Sequence, residues 1–172
     1  MNFFWFDASA LAKRYVHEKG TPLVNHLFDH TSPRLLICLL EGIGETVSIL
    51  VRHRNQGTIS NPVYHQVLSE LRTEITDSPD VEKIYPTRLQ VAISWNFIET
   101  HSINSTDSII LQCALDKAVE LRDGGHELVL VSADSRLVRA AKAENLLTFN
   151  PESDTQAGLD LFINPSPPPP IP

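Results

Sequence analysis

The chain has 172 residues, of which 42% are hydrophobic and 20% charged, and its formal net charge is −7. This length suits one α/β domain, and no apolar run approaches the ~20 residues of a membrane-spanning helix. The amino terminus lacks the basic leader of a signal peptide, so we expect a cytoplasmic protein with no membrane contact. The negative charge argues against a protein that holds nucleic acid through a broad basic surface.

The first half of the chain predicts alternating strands and helices. An aromatic run at residues 2–6 predicts a buried strand that ends at Asp7. Helix-favouring residues follow, with Gly20 as the predicted stop, and Pro22 opens a second helix that runs to about Asp29. The next predicted elements are a strand at 34–38, a helix through Glu45 that Gly57 closes, and a helix from 61 to about 75.

The second half continues this alternation after a turn at 77–80. Its predicted elements are a strand at 81–85, a helix at 87–100, a helix that Ser105 or Thr106 caps and that reaches about Arg122, a strand at 127–132, a helix at 135–144 and a strand at 147–149. Strands alternating with helices predict an α/β fold, a single-domain three-layer sandwich with a central parallel sheet of about four to five strands. The domain is expected to span residues 1–150, with a Pro-rich, extended or disordered tail at 151–172. Cys38 and Cys113 are predicted to be buried thiols.

Four acidic residues fall where the predicted sheet brings functional groups together. Asp7 follows the first strand, Asp134 follows the strand at 127–132, and Glu45 and Asp107 lie early in helices. In an open parallel sheet, functional groups collect at the carboxyl ends of the strands. Clustered carboxylates suit Mg²⁺ or Mn²⁺, which polarises a phosphate oxygen and activates water for phosphodiester hydrolysis.

Each of these acids also has a purely structural explanation. Asp107 suits the first turn of a helix, and Asp134 suits a helix N-cap. Glu41 and Glu45 are four residues apart and can share a solvated helix face. Asp7 is harder to explain in this way, because a carboxylate that follows a buried aromatic run needs a partner. Position alone therefore leaves open whether the acids form one site.

Four segments of the chain resemble the motifs of the PIN-domain family, especially its VapC-like toxins. They are Phe6–Tyr15, Glu45–Leu50, Thr106–Leu111 and Val131–Leu137. The resemblance spans residues 3–150, keeps the family's order of motifs, and selects Glu45 over Glu41. It implies a PIN-like fold and a metal-dependent endoribonuclease, with an RNA substrate, a small antitoxin partner and a homodimer. The ligands of Mg²⁺ or Mn²⁺ that it implies are Asp7, Glu45, Asp107 and Asp134.

Further residues are expected to assist these acids. Ser9 and Ser132 are placed to support them through hydroxyl groups, and Ser132 stands where the family more often has threonine. The basic residues that can contact RNA, or else carry solvated helix charges, are Lys13, Arg14, Arg136 and Arg139. Trp5 and Trp95 are expected in the core rather than as base-stacking platforms.

Two other functions remain open at this stage. One is a PIN-fold protein that binds RNA or a protein partner without cleaving it. The other is a different magnesium enzyme on a doubly wound sheet, such as a phosphohydrolase or a receiver-like domain. The Asp-x-Asp motif of a common phosphatase family is absent at residues 7–9, and no Gly-rich phosphate loop is present. The net negative charge is compatible with a nuclease, because a bound cation supplies positive charge at the phosphate.

Overall fold

A five-stranded parallel sheet forms the centre of the protein in the computed structural model, which describes residues 1–165. The strands are β1 (Asn2–Phe6), β2 (Leu36–Leu39), β3 (Glu82–Ile84), β4 (Glu127–Val131) and β5 (Leu147–Phe149). They lie in the order β3-β2-β1-β4-β5, and every pairing is parallel. The structure thus confirms the predicted α/β class, and each predicted strand is present with a small shift of its ends.

Helices connect the strands and cover both faces of the sheet. They are α1 (Ala8–Leu11), α2 (Thr21–His30), α3 (Leu40–Asn55), α4 (Asn61–Leu71), α5 (Arg88–His101), α6 (Ser105–Asp123), α7 (Ser135–Ala143) and α8 (Gln156–Ile163). A 3-10 turn at Ala12–Arg14 follows α1, and a π-helical turn at Arg72–Thr76 follows α4. Within residues 1–165, no helix has the length and apolar character that crossing a membrane requires.

The strands build two hydrophobic cores because successive side chains point to opposite faces of the sheet. Phe4 and Phe6 of β1 pack in a core with side chains of α1 to α4 and α8. Trp5, between them, packs in a second core with side chains of α6 and α7. This division confirms the three-layer sandwich.

The predicted burial of the two cysteines and of Trp5 is confirmed. Cys38 and Cys113 are free, buried thiols, and Trp5 is fully buried. The prediction for Trp95 is wrong, because this side chain is 58% exposed. In α5, only Ser94 is fully buried, and the next residue points about 100° further round the helix.

The first helix is shorter than the sequence predicts. α1 and its 3-10 turn end at Arg14, and Gly20 is the N-cap of α2 rather than the stop of the preceding helix. Gly20 has a φ of 90°, and a Cβ atom there would lie 2.6 Å from the carbonyl oxygen of Pro151. Glycine fits this position because it has no Cβ atom and adopts positive φ readily.

The segment that follows β5 packs back onto the domain, so the prediction of an extended tail is wrong over residues 156–163. Thr155 caps α8, and Leu159 is completely buried in the core that contains α2. The prolines fall outside this helix, at Pro151 and from Pro165 onward. Their density over the whole segment concealed a capped, apolar helix between them. The proline run at 167–170 lies outside the described residues.

Candidate acidic site at the edge of the sheet

The order of the strands brings four acids from distant parts of the chain to one edge. β1 and β4 are neighbours at the point where the strand order reverses, and Phe6 is in register with Val131. Asp7 and the loop at 132–134 therefore leave the sheet side by side. α3 follows β2, the other neighbour of β1, and contributes Glu45, while α6 contributes Asp107. All four acids line one cavity of about 320 Å³, so the structure brings together the full set that the sequence singled out.

Asp7 is held in place by two serine hydroxyls. Its side chain is buried, and its Oδ2 atom accepts hydrogen bonds from Ser9 Oγ at 2.5 Å and from Ser132 Oγ at 3.0 Å. The backbone N–H of Ser9 donates to the same oxygen at 3.2 Å. Among the described residues, Asp7 Oδ1 has no such bond, and this atom is therefore the one available to a ligand.

The same hydroxyls connect Asp7 to the loop that carries Asp134. Ser9 Oγ accepts a hydrogen bond from the N–H of Ala133 at 2.9 Å, and Ser132 Oγ accepts one from the N–H of Asp134 at 3.0 Å. Each hydroxyl has one proton and donates it to Asp7. The two serines therefore fix the carboxylate of Asp7 relative to the backbone of the neighbouring acid.

The beginning of α6 places Asp107 at the cavity. The side chain of Asn104 accepts a hydrogen bond from the backbone N–H of Asp107 at 2.8 Å and so caps this helix. The prediction that Ser105 or Thr106 provides the cap is wrong. Ser105 and Thr106 already lie within the first turn of α6. Asn104, which precedes them, has the extended backbone of an N-cap.

Asp107 carries the largest electrostatic strain of the four acids. It is 7% exposed, and its Oδ2 atom is buried without a hydrogen-bond partner in the described chain. Burial, and then the nearby charges of Asp7, Asp134 and Glu45, raise the pKa of Asp107 to about 7. The charge of Arg136 offsets these effects only in part, and a bound cation would provide a direct positive partner.

The other two acids differ in how well the protein satisfies them. Glu45 is half-buried, and burial followed by the charge of Asp7 raises its pKa. Asp134 caps α7, where its Oδ1 accepts the N–H of Arg136 at 2.7 Å. Burial alone would raise the pKa of Asp134, but this bond and the guanidinium group of Arg136, 3.3 Å from Oδ2, lower it. Asp134 therefore both caps α7 and lines the cavity.

The acids surround the cavity without forming a complete chelating group. Among residues 1–165, no three His, Cys, Asp or Glu side chains are grouped so that they could hold a metal ion as they stand. The chemistry of the cavity nevertheless fits a hard divalent cation. All four ionisable donors are carboxylates, and Asp107 presents a buried oxygen that has no partner.

Two of the predicted RNA-contacting cations are engaged elsewhere in the fold. Lys13 is 2% exposed, and its Nζ atom lies 3.0 Å from Glu18 and 2.6 Å from Glu152. Arg14 pairs with Glu74 at 3.0 Å, at a different cavity. Because both cations are already neutralised by carboxylates, their positions do not support the predicted contacts with RNA.

The remaining cations lie on the surface. Arg136 and Arg139 are exposed on α7, and Arg136 is beside Asp134. Arg52 was not assigned a role from the sequence, yet it lines the cavity that contains the four acids. It follows Glu45 by seven residues, or two helical turns, and this spacing was the signal that placed both on one face of α3.

Comparisons with known proteins identify the fold through structure alone. Neither sequence-family models nor curated protein sequences match the chain. PAE2754 from Pyrobaculum aerophilum is similar in structure over 93% of this chain and 94% of its own, with a TM-score of 0.57 and 16% identity. FitAcB from Neisseria gonorrhoeae is similar over 88% and 99%, with a TM-score of 0.58 and 14% identity.

A third similar structure is VapC20 from Mycobacterium tuberculosis, described as a toxin that cleaves the sarcin–ricin loop. It is similar over 80% of this chain and 94% of its own, with a TM-score of 0.57 and 14% identity. These neighbours are PIN-domain proteins, and the chain shares their fold. The PIN-like fold expected from the four sequence motifs is therefore confirmed.

Proposed function

We propose that this chain, which has the PIN-like fold, is a divalent-metal-dependent endoribonuclease and the toxin of a toxin–antitoxin pair. The observation that carries the proposal is the single cavity lined by Asp7, Glu45, Asp107 and Asp134, with a buried, unpartnered oxygen on Asp107. The likeness to a toxin that cleaves the sarcin–ricin loop supports RNA as the substrate. The likeness to FitAcB supports a small antitoxin protein as the partner. We also propose a homodimer and a cytoplasmic location.

In this proposal the four carboxylates hold Mg²⁺ or Mn²⁺. The ion supplies positive charge at the scissile phosphate and lowers the pKa of the attacking water. Ser9 and Ser132 orient Asp7 by donating to its Oδ2 and leave Oδ1 free for the ion. Asp107, with a pKa of about 7, is partly protonated at neutral pH in the metal-free protein, and a bound cation would favour its charged form.

A matched pair of substitutions on α3 tests the role of the cavity. Glu45 lines it, whereas Glu41 is exposed one turn earlier and does not. With Mn²⁺ and single-stranded RNA, Glu45→Gln should reduce the cleavage rate by about 100-fold or more, because it removes a proposed ligand. Glu41→Gln should remain within about twofold of wild type, since it leaves the ligands intact.

As a control, thermal denaturation without metal is used to check that each variant is folded. Equal cleavage by Glu45→Gln and wild type would remove Glu45 from the site. A wild-type protein that binds RNA without cutting it, in Mn²⁺ or Mg²⁺, would favour the RNA-binding module over the nuclease.

A further inference from the structure

A second cavity, of about 460 Å³, adjoins the acidic one. The two cavities share Ser9, Ile49, Arg52 and Asp134 as lining residues. They therefore form one continuous depression, in which the proposed cleavage site occupies one end. A single-stranded polymer whose phosphate lies at the acids must place an adjacent unit either in this second cavity or in solvent.

Most of the residues that line the second cavity are polar or charged, and a smaller part of the lining is apolar. Ala12, Ile49 and Ala133 provide the apolar part, and His53 and Gln56 are among its polar side chains. Its volume lies within the ~300–1,000 Å³ range of small-ligand sites. An amide such as that of Gln56 offers both donors and an acceptor, which is the chemistry that reads the edge of an unstacked RNA base.

The acidic groups of this cavity are compensated only in part by the protein, because a single lysine pairs with two of them. Glu18 pairs with the buried Lys13 and also lies 2.9 Å from His53 Nε2, and Glu152 pairs with the same lysine. The other ring nitrogen of His53, Nδ1, lies 2.9 Å from Thr58 Oγ1. These contacts hold His53 rigidly and reduce the repulsion that Glu18 and Glu152 would exert on a phosphate.

Arg52 has the position of a phosphate ligand between the two cavities. It is exposed and lines both of them, and within residues 1–165 its charge acts on Glu45 without forming a salt bridge. Arginine is well suited to this contact because its planar guanidinium group can donate two hydrogen bonds to a phosphate.

We propose that the second cavity binds the RNA nucleotide next to the scissile phosphodiester, with Arg52 holding a phosphate and Gln56 contacting the base. The proposal rests on the nuclease function proposed above and deepens it. Lys13, which the sequence offered as an RNA contact, acts here indirectly, because it offsets part of the negative charge of Glu18 and Glu152 in the wall of the subsite.

The first test measures binding of a fluorescent single-stranded RNA to the full chain, with Ca²⁺ in place of Mn²⁺ so that turnover does not interfere. Arg52→Gln should weaken binding about 10-fold and lower the salt slope by about 1, the signature of one lost phosphate contact. Arg54→Gln is the matched control: Arg54 lies over the Tyr64 ring at 4.6 Å and lines neither cavity. It should bind RNA as the wild type does.

The second test maps cleavage positions in a mixed RNA pool with Mn²⁺. Gln56→Ala should relax the base preference at one position beside the cut, because it removes the proposed contact with that base. Wild-type binding and cleavage positions in both Arg52→Gln and Gln56→Ala would overturn the subsite, while metal-dependent cutting by the same proteins would leave the nuclease proposal standing.

Two other results would distinguish the subsite proposal from the nuclease proposal. RNA binding that depends on Arg52, in a protein that never cuts, would refute the nuclease and leave the second cavity as an RNA-binding site without a scissile bond beside it. If the wild-type chain binds no RNA but its second cavity binds a peptide in an Arg52-dependent manner, the nucleotide assignment is overturned.

Discussion

The substitution Asp107→Asn should stabilise the metal-free protein at neutral pH. Asp107 is 7% exposed, its Oδ2 atom has no partner among the described residues, and three other carboxylates face the same cavity. Burial and these charges raise its pKa from 3.8 to about 7. Between these two pH values, the folded protein holds a proton that the unfolded chain has released.

The sign and size of the effect follow from this difference. The folded state binds more protons than the unfolded state, so the free energy of unfolding falls as pH rises from about 4 to about 7. A difference of about three pH units corresponds to at most ~4 kcal/mol, and relaxation of the site reduces this to about 2–4 kcal/mol. Asparagine has no charge and removes this penalty.

Urea denaturation in chelator, between pH 4.5 and pH 7.5, measures the effect. Asp107→Asn should exceed wild type by about 2–4 kcal/mol at pH 7 and approach it near pH 4.5. Asp123→Asn, an exposed change at the far end of α6, should differ by a few tenths of a kcal/mol without this pH trend. Added Mn²⁺ should stabilise wild type and not Asp107→Asn. If Asp107→Asn were less stable than wild type at pH 7 in chelator, the charge of Asp107 would not destabilise the metal-free fold.

Three further substitutions test the packing around the site. Leu159→Ala should lower the free energy of unfolding by about 2–5 kcal/mol in urea denaturation, because Leu159 is fully buried, whereas the 69%-exposed Leu161 should tolerate alanine. Gly20→Ala should lower the free energy of unfolding by about 2 kcal/mol or more, because φ is 90° and the new Cβ atom would lie 2.6 Å from a backbone oxygen. The thermal midpoint should fall, and an unchanged midpoint would contradict this close contact. Ser132→Ala removes a hydrogen bond to Asp7, so it should lower the free energy of unfolding by about 1–3 kcal/mol. It should also weaken Mn²⁺ binding about 10-fold, measured by calorimetry, and an unchanged affinity would show that this hydroxyl does not support the metal site.

The sequence was informative about the acids because their positions follow from local patterns. An aromatic strand that stops at Asp7, and a second buried strand followed by Ser132 and Asp134, locate the carboxyl edge of a parallel sheet. These two features depend on neighbours in the chain, so a single sequence reveals them. Helical spacing does not distinguish Glu45 from Glu41, and the resemblance to the PIN-domain motifs selects Glu45.

The parts that the sequence did not predict depend on contacts between distant residues. Lys13 is buried because Glu18 and Glu152 meet it in the folded state, and the second of these is 139 positions away. α8 was hidden by the prolines around it, although Thr155 caps it and Leu159 anchors it. The exposure of Trp95 depends on the width of the face of α5 that packs against neighbouring elements. Helical periodicity in the sequence does not determine this width.

The most direct test of the central claim is cleavage of a total RNA pool by the purified protein in Mn²⁺, in Mg²⁺ and in chelator, with Asp7→Asn assayed in parallel. The wild type should cut with either metal and should not cut in chelator. A folded Asp7→Asn variant, which lacks one of the proposed ligand charges, should not cut. Cutting that persists in chelator, or at the wild-type rate in Asp7→Asn, would contradict a metal-dependent nuclease site at these four acids.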